Sequence, residues 1–448
     1  MPTDRPSATA RTSAAGALAL ALAVVASTVV VPFGLPGPGA SAGASPVASP
    51  VAAALATGTP ASPASSASPV GSVAPLATPA IPERLDAALR AWRRAARVPG
   101  VVAAVRLPDG TTWTGAAGGR EAGTGSPRAT TRTPWVIASI TKTFVAALAL
   151  RLAEEGVLSL DEPIARWVPE QKRAGRITLR MLLAHTSGLA DYFWHPRYEA
   201  LVFGRPTYRW TTDEILALAA ARRPLFRPGR GWSYSNTNYV LAGRILEIAA
   251  GAPLAEQLRA RFFTPLGLAS AVLQGDEPVP DGAAKGYLRE DRAWVDLSDG
   301  TTLRPMTSAA TVAWAAGAIL LSAEDLLRWE EALYGGTVLS PGSLAQMLAF
   351  GPEGYGLGAR AQWLAGRPGY GHGGSLRGFV AAMYRVPSAG LAVVALANRG
   401  GADINGLADA LAQAVVGPPP TPVPPPMPLA GASPSASLPP APSVSPAG

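Results

Sequence analysis

The stretch Trp135-Val136-Ile137-Ala138-Ser139-Ile140-Thr141-Lys142 decides how the rest of the chain is read. It follows Pro134 and runs on into Phe144, Val145 and Leu148, which predicts a helix over 139–155 that is buried nearly all round. A hydroxyl and an ammonium three residues apart lie on one helix face, a turn from each other, and can hydrogen-bond. The helix macrodipole also favours negative charge developing on a serine oxygen at the N-terminus. A serine is a weak nucleophile until a neighbour takes its proton, and a desolvated lysine can be that neighbour. The chain has three lysines, Lys142, Lys172 and Lys285, and uses Arg elsewhere. A lysine inside an apolar helix therefore stands out, because arginine would stay charged and could not act as a base. Taken alone, the same pair also suits a serine in a first turn beside a lysine that snorkels to water.

Two further stretches offer polar groups to a common cleft. Trp232-Ser233-Tyr234-Ser235-Asn236 follows the turn Pro228-Gly229-Arg230-Gly231 and precedes a helix predicted over 238–250. A tyrosine and an amide two residues apart on a short loop can aim both polar ends the same way. Tyr370-Gly371-His372-Gly373-Gly374-Ser375 leads into a C-terminal hairpin, where small residues let a substrate lie along the strand and take its backbone N–H bonds.

The flanks set the architecture. Residues 81–96 repeat Leu85, Leu89 and Trp92 at helical spacing, and 100–106 with 111–115 form a hairpin across Pro108-Asp109-Gly110. A second hairpin spans 378–386 and 390–397, and 404–416 reads as a closing helix. Between these ends lie helices over 179–183, 212–221, 238–250, 254–261 and 323–333. The expected fold is α/β (α+β): one antiparallel sheet built from distant parts of the chain, flanked by terminal helices, with a helical region inserted.

S-x-x-K, Y-x-N and H-x-G each occur once and in this order. With Met181-Leu182-Leu183-Ala184-His185-Thr186-Ser187-Gly188-Leu189 and the run 156–163, they resemble the serine β-lactamases and penicillin-binding proteins. The similarity is to the class C β-lactamase and D-alanyl-D-alanine carboxypeptidase branch, over roughly residues 82–415. The resemblance implies that Ser139 is acylated, that Lys142 is its proton partner, and that Tyr234 is a second base relaying the proton to the leaving group. It also implies that Asn236 holds the substrate's amide or acyl side chain, and that backbone N–H groups of Ser139 and Ser375 form an oxyanion hole. His372 stands where many relatives carry lysine and would add electrostatics beside Tyr234. Gly373 and Gly374 belong to the substrate-facing strand. Gly373 lacks the hydroxyl that helps many relatives bind a substrate carboxylate, a task open to Ser375 or to Arg377. Regular pairing would put Arg377 on the same side as Ser375, where its guanidinium could take a carboxylate bidentately. The implied activity is acyl-enzyme hydrolysis of a D-Ala peptide, a β-lactam or a small ester or amide. Carboxypeptidase or esterase activity is expected ahead of efficient β-lactam turnover. The alternative is a silent relative that binds cell wall or a partner protein.

Other signals bound the reading. With three His and zero Cys there is no metal-ligand spacing, no disulfide framework and no lipoprotein anchor, so neither metal nor cofactor is expected. His185 reads as a loop tie after a leucine-rich helix end, and His195, in the aromatic stretch 192–196, is left without a role. Gly39-Ala40-Ser41-Ala42-Gly43 matches G-x-S-x-G but lacks the strand and helix that motif needs. The net charge of +8 comes from scattered arginines that do not interleave with aromatics, which argues against nucleic acid and for weak wall or membrane-surface attraction.

Arg5 and Arg11, an apolar run over 14–31 and Ala40-Ser41-Ala42 read as a secretory signal peptide over 1–42, with an uncleaved anchor as the alternative. Either places the folded part outside the cytoplasm. Residues 43–80 form an Ala/Ser/Pro linker and 417–448 a Pro-rich tail, both too poor in large apolar groups to fold. The domain expected between them, 81–416, has an α/β part over about 81–138 and 308–416 and a helical part over about 139–307. Trimming 43–80 and 417–448 is expected to leave the melting temperature and turnover nearly unchanged. A large loss of either would mean that these segments pack on the domain.

Overall fold

A computed structural model describes residues 79–418, so the expected leader, all but the last two residues of the linker, and the tail from residue 419 lie outside the described residues. Among the described residues there are eleven strands: β1 (Gly100–Arg106), β2 (Thr112–Gly118), β3 (Trp135–Val136), β4 (Val272–Leu273), β5 (Tyr287–Glu290), β6 (Ala293–Asp296), β7 (Ile319–Leu321), β8 (Arg360–Leu364), β9 (Arg367–Leu376), β10 (Phe379–Val386) and β11 (Leu391–Ala397). Six of them make the main sheet in the order β2-β1-β11-β10-β9-β8, antiparallel throughout. The small sheets β3-β7-β4 and β5-β6 stand beside it.

The sheet is covered on both faces, which is why β1, β10 and β11 read as near-continuous apolar runs. Alternate residues of one strand enter different cores. Val101, Ala103 and Val105 join Leu85 and Leu89 of helix α1 (Ile81–Ala96) and Leu407 and Leu411 of the closing helix (Ile404–Val416). Val102 and Ala104 face the larger core, where Phe144 stacks on Trp329 with ring centroids 3.7 Å apart. That stack joins α2 (Thr141–Glu154) to the helix Ala323–Tyr334.

Several elements differ from the sequence reading. The helix expected from residue 139 begins at Thr141, preceded by a single 3₁₀ turn, Ala138–Ile140. The helix expected from residue 238 begins at Asn236, so this amide sits in a first turn rather than on the loop. The segment expected to be helical over 254–261 is α-helical over Leu254–Leu258 and then relaxes into a π-turn, Arg259–Phe263. The helix Thr307–Gly317 was not foreseen; every residue in it is buried, so it has no polar face to give a period. It is interrupted at Trp314, whose φ of 30° and ψ of −121° are non-helical. Among the described residues no helix is long and apolar enough to cross a membrane.

Candidate active site

The backbone presents Ser139 on a sharp turn. β3 pairs with β7 through Trp135↔Leu321 and Val136↔Leu320, and the Ile137 N–H donates to the Ile319 carbonyl at 3.1 Å. Ala138 then takes φ of 48°, a left-handed conformation that a residue with a Cβ adopts at a cost of roughly 1–2 kcal/mol. The chain reverses there and enters α2, whose start is fixed by the Ile319 N–H donating to Thr141 Oγ1 at 3.1 Å. Opposite the turn lies Gly374, where an added Cβ would stand 2.1 Å from the Ile137 carbonyl oxygen. Glycine lets β9 press on the serine turn. β8 stops pairing with β9 at Gly371, which leaves no strand beyond that point on this side of Ser375 among the described residues.

Lys142 is wholly buried, and its Nζ meets three groups. It lies 3.1 Å from Ser139 Oγ, donates to Asn236 Oδ1 at 2.9 Å and donates to the Ala316 carbonyl at 2.6 Å. Asn236 is oriented from behind, because its Nδ2 donates to Asp191 Oδ2 at 2.9 Å. A carboxylate accepts only, so the amide must turn its oxygen to the lysine. A neutral amine has two hydrogens and one lone pair. With both hydrogens committed to carbonyl oxygens, the lone pair is left for the serine hydroxyl. Burial lowers the Lys142 pKa to about 7, opposed by the nearby Asp191 charge. The amine is therefore a substantial species near neutral pH.

The Tyr234 ring centroid lies 5.0 Å from Lys142 Nζ. Burial pushes the phenol up, outweighing the lowering effect of the nearby Ser139 side chain, so at neutral pH Tyr234 holds its proton. The resemblance implied a base; at rest this group is protonated. Its loop is tied by His185, whose carbonyl accepts from Ser233 N and whose Nδ1 accepts from Ser235 N at 3.2 Å. The same Nδ1 lies 3.1 Å from Asn238 Nδ2, and the His185 ring is 4.3 Å from that of Tyr234. This geometry is that of a loop tie. His195 serves its own turn, its Nδ1 accepting from Arg197 N at 3.2 Å.

Four expectations for single residues need correcting. His372 was expected to add electrostatics beside Tyr234, but burial first, and the Lys142 charge second, lower its pKa to about 3. The neutral ring donates from Nδ1 to the Gly373 carbonyl at 2.5 Å and accepts at Nε2 from the Tyr355 hydroxyl at 2.9 Å. It orders Tyr355 and carries no charge. Asn236 was expected to hold a substrate amide, yet both of its polar ends are taken by Lys142 and Asp191. A side chain at Gly373 would meet Tyr384 Oη at 2.8 Å, on the sheet face away from Gly374, so the missing hydroxyl reflects packing. Arg377 leaves the strand in the turn between β9 and β10, pairs with the Glu199 carboxylate, and lies 4.2 Å over the Phe203 ring. At rest one of its nitrogens is engaged by the exposed Glu199 carboxylate.

Sequence reasoning missed Asp191, which is only 5% exposed, and the Ala316 carbonyl. Among the described residues no group of three or more His, Cys, Asp or Glu is placed to hold a metal.

Comparisons with known proteins agree with this architecture. A family model described as Beta-lactamase matches residues 85–416. The chain is 31% identical over 315 residues to esterase EstB of Burkholderia gladioli, covering 65% of this chain and 78% of that one. It is 30% identical over 344 residues to penicillin-binding protein 4 of Amycolatopsis lactamdurans, covering 71% and 84%. The crystal structure of a D-stereospecific amidohydrolase from Streptomyces sp. superposes with a TM-score of 0.64 at 30% identity, covering 74% of this chain and 98% of that one. Since the matched family spans the sheet, the inserted helices and the buried serine–lysine pair alike, the chain belongs to the β-lactamase family of serine hydrolases.

Proposed function

We propose that the protein hydrolyses small esters or D-configured amides and peptides through an acyl-enzyme on Ser139. The observation that carries this reading is the Lys142 amine, 3.1 Å from the serine oxygen with its two hydrogens engaged elsewhere. Ser139 Oγ attacks the acyl carbon while its proton passes to Lys142. The N–H groups of Ser139 and Ser375 take the charge that develops on the carbonyl oxygen. Tyr234 gives its proton to the leaving alkoxide or amine and regains one from the lysine. Water then attacks the acyl carbon and releases the acid, restoring the serine.

The engagement of Arg377 by Glu199 favours esters and amides over substrates selected for a free terminal carboxylate. The names of the esterase and the amidohydrolase among its relatives point the same way. On the leader expected over 1–42, this chemistry takes place outside the cytoplasm, and N-terminal sequencing of exported protein should find a start near Gly43.

Two measurements test the reading. A fluorophosphonate or fluorescent penicillin should add its mass to the tryptic peptide that contains Ser139; label on any other peptide, or none, sinks it. The acylation rate should rise about tenfold per pH unit below about 7 and level off above it, because the working lysine is the neutral one. A rate that falls as pH rises through 7 would show that the ammonium form is the active one.

A further inference from the structure

The end of the sheet that carries Ser375 also carries an arginine basin that does not include Ser139. Val101 pairs with Ala397, Ala397 with Val380, and Val380 with Ser375, so the start of β1 is level with the serine. β2 lies four strands from β9, about 19 Å along the sheet. Beside it opens a basin of about 870 Å³, lined by the last turn of α1, the glycine-rich segment after β2, Arg128 and Trp294.

Its charge is one-sided. Arg93, Arg94, Arg97 and Arg128 all line it. Arg93 is anchored, donating to the Pro99 carbonyl at 3.0 and 3.3 Å, and lies where a Cβ on Gly118 would come within 2.4 Å of it. Arg94, Arg97 and Arg128 are exposed and take no side-chain partner among the described residues. Glu121 is the one acidic residue in the lining, and it is held by Lys285 at 3.1 Å. Behind the wall, Arg399 sits close enough to Arg97 and Arg289 for their charges to add to burial in lowering its proton affinity. Arg289 in turn lies 4.6 Å over the Trp294 ring. Arg90 also lines the basin but is paired with Asp86, and with Glu121 held by Lys285 the remaining arginines repel one another. An anion would reverse that balance, and planar guanidinium forks match phosphate oxygens.

We propose that this basin binds a phosphate-bearing polyanion chain, holding it at the same end of the sheet as the serine. A chain can enter the concavity, whereas a flat bilayer meets only its rim. The proposal does not depend on the catalytic reading. The test is titration of the full chain with sodium polyphosphate at low and high salt, beside the triple variant Arg94→Gln, Arg97→Asn, Arg128→Gln. Asparagine at 97 suits the left-handed φ of 48° there. The wild type should bind, and more weakly as salt rises. The triple variant should bind at least about tenfold more weakly while keeping its melting temperature and its ester turnover. A control of equal charge loss, Arg176→Gln, Arg227→Gln, Arg230→Gln, should bind as the wild type does. Equal losses in both triples would show that only net charge acts, and would overturn the site. So would the absence of polyphosphate binding at low salt, including the case in which phosphatidylglycerol vesicles bind instead.

Discussion

Lys142→Arg is expected to lower the rate of Ser139 acylation by roughly 10²- to 10⁴-fold, the range that general acid–base catalysis contributes. The substitution keeps the positive charge and so isolates proton acceptance. In the native site the two Nζ hydrogens go to Asn236 Oδ1 and the Ala316 carbonyl, which leaves a lone pair facing the hydroxyl 3.1 Å away. A guanidinium stays protonated and offers donors only. Stopped-flow acylation with a p-nitrophenyl ester checks this, with a melting curve to establish that the variant is folded. Acylation within tenfold of the wild type would mean that Tyr234 is sufficient as the proton acceptor.

Gly374→Ala is the second large effect, although it removes no functional group. The new Cβ would be placed 2.1 Å from the Ile137 carbonyl oxygen and 3.2 Å from Ala138 Cβ, so β9 and the serine turn must separate. Neither contact is the end of a flexible side chain. On the proposed mechanism the shift carries the Ser375 N–H away from the acyl carbonyl, and losing one such donor costs roughly 10²- to 10³-fold in turnover. Global stability should fall less than activity, because β10 still pairs with β9 on its other edge. Turnover close to wild type would show that the strand and the turn have freedom that their contact does not suggest.

Legibility in the sequence followed the physics of each element. The helices Ile81–Ala96, Leu179–Leu183 and Ile404–Val416 have the bounds read from the sequence; the first carries a proline at its start, and Thr178 and Asp403 cap the other two. The strands β10 and β11 were legible as apolar runs around Pro387-Ser388-Ala389. Thr307–Gly317 was not, since a helix buried on every side has no period to detect. In the site, the three-residue spacing of Ser139 and Lys142 gave their proximity directly. The groups that orient Lys142 could not be read in the same way. One is a main-chain carbonyl, which every residue possesses, and the other is set by Asp191, 45 residues from the Asn236 it holds. The neutrality of His372 and the capture of Arg377 depend on burial and on a neighbour 178 residues away, neither of which a motif encodes.

The order of strands in the main sheet also bears on how the chain is made. β11, the last in sequence of the described strands, is an interior strand, flanked by β1 on one side and β10 on the other. Until Leu391–Ala397 has been synthesised, the N-terminal hairpin and the β8-β9-β10 ribbon are two separate pieces with unpaired edges. Pairing of Val101 with Ala397 closes a loop that contains every catalytic candidate, which makes assembly late and slow compared with folds built from local contacts. A nascent or truncated chain that ends before β11 would then hold its serine and lysine in sequence but not in a working cleft, so hydrolysis would switch on only once Leu391–Ala397 has been made.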